Sequence, residues 1–153
     1  MSISQKNRYD VVVVGTGAAG TSAALEAAQH GASVLLLEKG RHTGGSSNYK
    51  EGLFAVDYYL QKEQGIKVSA TDVLREEVDY SKYRADSRIW RKYLDDSANT
   101  VQWLKDQGVK YEGVQAMGAG EATWQIYEGM GQGVLHDALQ PQAQKLCVEL
   151  LSC

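Results

Sequence analysis

Val11 to Val14 is an unbroken apolar run that stops at Gly15. A β-branched run this short, bounded by glycine, predicts a parallel strand buried on both faces. Residues 18–30 then read as a helix. Ala23, Ala24, Ala27 and Ala28 give it a small-residue face that can lie close to a sheet. Gly31 follows where a left-handed residue ends a helix. Ser33 to Leu37 is a second buried strand, and a strand–helix–strand unit of this kind crosses over right-handed.

The pattern changes from Lys39 to Asp57. Gly40, Gly44, Gly45 and Gly52, with Ser46, Ser47 and Asn48, make a polar, Gly-rich loop, and loops of this length are commonly functional. Leu53 to Leu60 fits either a short strand or a helix. Residues 71–107 read as two helices, the first capped by Ser69 or Thr71. In the second, Ile89, Tyr93, Leu94, Ala98, Val101 and Leu104 recur at spacings of three and four, which predicts one apolar face. Gly108 ends it. Residues 109–121 suggest a strand and then a Gly-rich turn. A last helix is expected over 132–146, although Pro141 inside it would remove a backbone hydrogen bond. Val148 to Leu151 reads as one more strand.

Composition narrows the class without naming a function. The chain has 153 residues, 43% apolar and 23% charged, as in an ordinary soluble domain. A net charge of −3 with no gathered basic stripe argues against nucleic acid. No apolar run reaches the roughly 20 residues of a membrane helix. The first ten residues carry no apolar signal-peptide core, and the two cysteines, Cys147 and Cys153, form neither a disulfide framework nor a metal pair. A reducing cytoplasm is the resulting expectation, with no metal.

Gly15, Gly17 and Gly20 form GxGxxG after a strand and at the start of a helix, and Glu38 closes the next strand. That context marks a dinucleotide-binding unit. Gly15 permits the tight turn, Gly17 lets backbone approach a pyrophosphate, and Gly20 lets helix and strand pack closely. The amides near Ala18, Ala19 and Gly20 open a helix, where the dipole favours phosphate. Glu38 suits the two hydroxyls of an adenosine ribose and repels a 2′-phosphate, which disfavours NADP. NAD and FAD share the ADP half, so the discrimination lies downstream. There "KGRHTGGSSNYKEG" could carry further amides along a longer ligand, toward a flavin.

The stretches "DVVVVGTGAAG", "LLLEKGRHTGGSSNYKEGLFAVD", "VQWLKDQGV" and "GMGQGVLHDALQPQAQKLCVELL" together resemble the flavoprotein-subunit family of fumarate reductase and succinate dehydrogenase, in its soluble FAD-dependent branch. The resemblance covers nearly the whole chain. It implies an α/β, Rossmann-like FAD-binding domain of the GR2 type over 1–153, incomplete, with an inserted helical segment at about 71–108. It also implies FAD as cofactor and flavin-mediated transfer of hydride or electrons to or from a small organic substrate. Carried over residue by residue, Gly15, Gly17, Ala18, Ala19 and Gly20 would line the pyrophosphate. Glu38 would take the ribose, with Lys39 beside it. Gly45, Ser46 and Ser47 would meet the pyrophosphate and ribityl region, Gly52 the isoalloxazine ring, and the Val148 backbone the adenine.

The chain departs from that family in places. Ser46 stands where asparagine is common, Leu53 where a second glycine is common, and Cys147 where glycine usually precedes the last strand. Cys147 is expected to be a small buried hydrophobe. Members that reduce fumarate carry a histidine before the glycine turn; here "TWQIYEGMGQG" has none, so fumarate is not supported as substrate. His30 and His136 read as structural, and His42 as a surface residue. The catalytic residues are unknown. Family members run to several hundred residues, with a capping domain that holds the substrate. The chain therefore reads as an N-terminal portion with little turnover of its own. Two other readings stay open: an NAD or ADP-moiety binding module, and a truncated remnant whose amphipathic helix serves a protein partner.

Overall fold

The computed structural model describes residues 8–116 and 120–152. Cys153 and part of the expected Gly-rich turn after residue 116 lie outside the described residues. The chain divides into two compact units, one from Met1–Lys50 with Gly129–Cys153 and the other Glu51–Glu128.

The first unit is built on a parallel sheet. Strand β1 (Val11–Val14), helix α1 (Ala18–Gln29) and strand β2 (Val34–Glu38) follow the sequence pattern closely. A 3-10 turn covers Gly45–Tyr49. Near the far end come a short helical turn α5 (Met130–Gln132), a π-helical segment Gly133–Leu139, helix α6 (Gln140–Lys145) and strand β6 (Glu149–Ser152). The strand order is β1-β2-β6, with Val14 beside Leu37 and Glu38 beside Ser152. One face is closed by alanines: Ala24 and Ala28 of α1 pack on Val34 and Leu36, joined by Val11, Val13 and Val148. Their small side chains let the helix axis come close to the strands, while each buried aliphatic contributes roughly 1.5–3 kcal/mol.

Within this chain β1 is covered on one face. Val12 is 52% and Val14 81% exposed, because the packed helix covers the other side and burial alternates with the strand period of two.

Pro141 is accommodated by a change of helical register. The wider π turns of Gly133–Leu139 run out just before it, and Pro141 falls in the first turn of α6. The helix runs on through the junction, with Gln140 N donating to Leu135 O, so the proline sits where the hydrogen-bond register changes.

Helices α1 and α6 end in the same hydrogen-bonded motif. Gly31 donates to Ala28 O at 3.0 Å and Ala32 to Ala27 O at 3.1 Å; Cys147 donates to Gln144 O at 3.0 Å and Val148 to Ala143 O at 3.0 Å. Both satisfy carbonyls the helix leaves open, and both need a left-handed residue. Gly31 has φ 84° and Cys147 φ 60°. Cys147 is thus an exposed turn residue, not the buried hydrophobe its composition suggested. The turn projects it from the surface, and its Cβ makes the conformation costly.

The second unit carries an antiparallel sheet of order β3-β5-β4, from Gly52–Phe54, Trp124–Tyr127 and Tyr111–Gln115. Helices α2 (Tyr59–Glu63), α3 (Ala70–Tyr80) and α4 (Ser87–Asp106) complete it. The segment 53–60 that fitted strand or helix contains some of each. Ser69 caps α3 by accepting from Asp72 N, and Asp86 caps α4 by accepting from Arg88 N. Gly108, at φ 96°, terminates α4.

The buried stripe of α4 is Leu94, Ser97, Val101 and Leu104. Ile89, expected on that face, is 70% exposed. It lies in the first turn, short of the packed centre where Leu94 joins Val56 and Val73. Ser97 enters the stripe because its hydroxyl is doubly used: it donates to Leu94 O at 2.8 Å and accepts from Val56 N at 3.2 Å. A buried hydroxyl so satisfied avoids the penalty of an unpaired one.

Among the described residues no helix is long and apolar enough to cross a membrane.

Candidate nucleotide site

The candidate site lies at the carboxyl ends of β1 and β2, where open parallel sheets hold their ligands. β1 ends in a turn that only glycine enters freely: Gly15 has φ 100°, and its amide donates to Leu37 O at 2.7 Å. Gly17, in extended conformation, is the N-cap of α1 and has no side chain to bond the first-turn amides. Those amides have no intrahelical acceptors and carry the positive end of the helix dipole. A Cβ on Gly20 would run into the Gly15 carbonyl, so the third glycine sets how closely helix and turn approach.

The 3-10 turn closes the other side. Ser47 Oγ accepts from Ala18 N at 3.0 Å, and a Cβ on Gly17 would sit 3.2 Å from that same oxygen. The Ser47 hydroxyl therefore stands where a phosphate oxygen would meet the helix. Gly44, at φ 94°, starts the turn, and a side chain there would strike Asn48. Asn48 is held twice: its Nδ2 donates to Thr43 O at 3.0 Å, and His136 Nε2 lies 3.0 Å from its Oδ1. A Cβ on Gly131 would strike the Ser47 carbonyl, which makes Gly131 part of the support for the turn. Gly45, at φ 50°, and exposed Ser46 lie on the open side.

Glu38 ends β2 with both carboxylate oxygens engaged. Its Oε2 accepts from Thr16 N at 3.1 Å and from the Thr16 hydroxyl; its Oε1 accepts from Gly40 N at 2.9 Å. The Thr16 hydroxyl and the backbone amides hold the carboxyl down at about 2. Glu38 is thus an anion across the neutral range, while a carboxylate can accept about four hydrogen bonds. It keeps acceptor capacity for a sugar hydroxyl.

The structure brings together Gly15, Gly17, Ala18, Ala19, Gly20, Glu38, Gly45, Ser46 and Ser47, with exposed Lys39 next to Glu38. It does not bring Val148 to them. Glu38 is in register with Ser152, while Val148 precedes β6 at the opposite end of the strand, its side chain in the alanine-lined core. Gly52 belongs to the second unit. A Cβ there would collide with the Gln125 carbonyl, so contact between β3 and β5 already requires glycine at this position. His30 Nδ1 lies 2.9 Å from Glu26 O at the end of α1. Among the described residues no group of three metal-ligating side chains occurs.

Sequence reasoning missed Thr16, Asn48 and Gly131. Thr16 had a readable signal, a hydroxyl between two motif glycines. Gly131 had none, because its partner Ser47 lies far along the chain, and the His136 contact of Asn48 is equally distant.

A family model described as FAD binding domain matches residues 10–148. The chain belongs to the FAD binding domain family. FAD is its cofactor, and the geometry above fits one: a glycine turn, a helix N-terminus whose Ala18 amide meets the Ser47 hydroxyl, and an ionised carboxylate at the end of β2. The chain is 86% identical over 152 residues to vinyl phenol reductase of Lactiplantibacillus plantarum, covering 99% of this chain and 31% of that protein. It is 32% identical over 111 residues to NADH:fumarate oxidoreductase of Klebsiella pneumoniae, covering 72% of this chain and 12% of that protein. Its fold matches 3-ketosteroid-delta4-(5alpha)-dehydrogenase of Rhodococcus jostii with TM-score 0.84 at 24% identity, over 99% of this chain and 39% of that one. The chain thus spans between 12% and 39% of the length of these proteins.

Proposed function

We propose that this chain is the ADP-gripping part of an FAD-dependent reductase that saturates the vinyl group of a phenol. The observation that carries this is the 86% identity to a vinyl phenol reductase across 99% of the chain. Bound FAD supplies the redox chemistry; the protein supplies binding, orientation and electrostatics. In this reading Gly15, Gly17, Ala18, Ala19 and Gly20 present backbone to the pyrophosphate. Ser47 hands the Ala18 amide over to a phosphate oxygen, with Gly45 and Ser46 flanking it. Glu38 accepts from the adenosine ribose, and its negative charge disfavours a 2′-phosphate. Lys39 and Gly52 are assigned to the cofactor on the family resemblance alone. The partner is a small molecule. We assign the protein to the cytoplasm, which the exposed, unpaired Cys147 thiol favours.

Two measurements test the reading. Titration with FAD, ADP and NAD should rank FAD tightest, and Glu38→Arg should weaken FAD and ADP alike by about tenfold or more. Equal affinity for all three ligands would return the chain to a generic ADP-moiety binder. The full-length protein, with reduced flavin as the electron source, should convert a vinyl phenol to the ethyl phenol. Turnover of fumarate but not of vinyl phenol would overturn the substrate assignment.

A further inference from the structure

We infer that Thr16 is a positioning residue for nucleotide recognition, joining the ribose carboxylate, the glycine turn and the Gly44–Ser47 turn through one hydroxyl. The inference rests on the reading that Glu38 meets the ribose.

The hydroxyl sits at a junction of three segments. Thr16 is fully buried, at 0% exposed. Its Oγ1 donates to Glu38 Oε2 and accepts from Gly44 N at 3.0 Å, and its backbone amide donates to the same carboxylate oxygen at 3.1 Å. Its carbonyl in turn accepts from the Thr21 hydroxyl at 2.9 Å, which ties the turn to the first turns of α1. One buried side chain therefore touches the group that reads the sugar and the start of the turn that carries Ser47.

The consequence is geometric. Thr16 occupies Oε2 twice and Gly40 N occupies Oε1 once, which leaves Oε1 the oxygen with acceptor capacity to spare. Fixing one oxygen pre-orients the other and removes rotamer freedom that a ligand would otherwise have to restrain. The same bond seats Gly44, and through Ser47 N donating to Gly44 O at 3.1 Å it seats the hydroxyl opposite α1. Glycine or alanine at position 16 would preserve the backbone of the motif and lose both links. The motif pattern leaves this position open, so the role comes from the hydroxyl and not from the glycine spacing.

The test is ADP and FAD affinity by calorimetry for Thr16→Val, Thr16→Ser, Glu38→Gln and the Thr16→Val/Glu38→Gln double variant. Thr16→Val should weaken both ligands by about ten- to a hundredfold, the range for losing a hydrogen bond to a charged group. Thr16→Ser should restore affinity to within a few fold. In the Glu38→Gln background the valine substitution should cost clearly less, because its partner is already altered. Equal losses in both backgrounds would show that Thr16 does not act through Glu38 and would overturn the inference. Wild-type affinity in Thr16→Val would overturn it too. Should Thr16→Val fail to fold, Thr16→Ala compared with Thr16→Ser isolates the same hydroxyl, with a full loss in serine refuting the role. Wild-type affinity in Glu38→Gln alone would instead sink the ribose reading beneath it.

Discussion

The parallel and antiparallel sheets are each three strands wide, yet the chain assembles them in opposite ways. β1 and β2 are joined by one helix, and the ligand-facing groups fall at their carboxyl ends within about thirty residues. In the antiparallel sheet β3 pairs with β5 more than sixty residues away, Gly52 beside Ile126, with three helices between them. The first arrangement concentrates glycine-dependent backbone at a site. The second spends its glycine on packing: Gly52 makes room for the Gln125 carbonyl. The same residue type shapes the turn after a strand in one sheet and the contact between strands in the other, and only its surroundings tell which.

The comparison is broken most forcefully at those glycines. Gly20→Ala drives a methyl into the Gly15 carbonyl, and Gly52→Ala drives one into Gln125 O. Each should cost about 3 kcal/mol of stability, at the upper end for overpacking. Their functional effects should differ: Gly20→Ala abolishes measurable ADP binding, whereas Gly52→Ala leaves the ADP Kd within about twofold. Denaturant unfolding paired with calorimetry reads both. Loss of ADP binding in Gly52→Ala would erase the distinction.

A smaller effect sharpens the picture inside the first unit. Gly31 and Cys147 fill the same left-handed position at the ends of α1 and α6. Cys147→Gly should stabilise the protein by about 0.5–1 kcal/mol, since relief of the left-handed cost exceeds the added chain entropy. Gly31→Ala should destabilise it by about 1 kcal/mol. Chemical denaturation checks the opposite signs.

The smallest effect is in pH. Glu38 lies at about 2, below its ordinary 4.5, because it accepts hydrogen bonds from Thr16 and Gly40. Its contribution is therefore fully present above pH 4.5 and fades as pH falls toward 2. In the second unit burial raises Glu77, which works in the opposite direction: its contribution is unfavourable above its shifted value and vanishes on protonation. Glu38→Gln should flatten the acid limb of the stability curve below pH 4.5, whereas Glu77→Gln should raise stability near neutrality. An unchanged acid limb in Glu38→Gln would contradict the carboxylate's hydrogen-bonded state.

The glycine turn, helix α1, strand β2 and terminal Glu38 were legible because each depends on neighbours within a few residues. So were the two helices of 70–106, whose caps Ser69 and Asp86 act on amides one turn away. The pairing of β3 with β5 was not legible, since strands of three and four residues carry too little pattern to name a distant partner. Nor was the exposure of Val12 and Val14, which depends on which face a helix covers. The place of Val148 was not legible either: strand register sets it just before β6, at the end of the sheet away from Glu38.

From residue order alone came the dinucleotide unit and its carboxylate, because phosphate turns are short-range backbone devices that leave a fixed spacing; FAD rather than NAD came from the family resemblance. Tertiary structure decided that Thr16 links Glu38 to Gly44, that Ser47 faces Ala18, and that Gly131 and His136 support the turn between them. These links join positions up to 88 residues apart. Long-range contacts like these are set by how whole elements pack, and no local pattern encodes them.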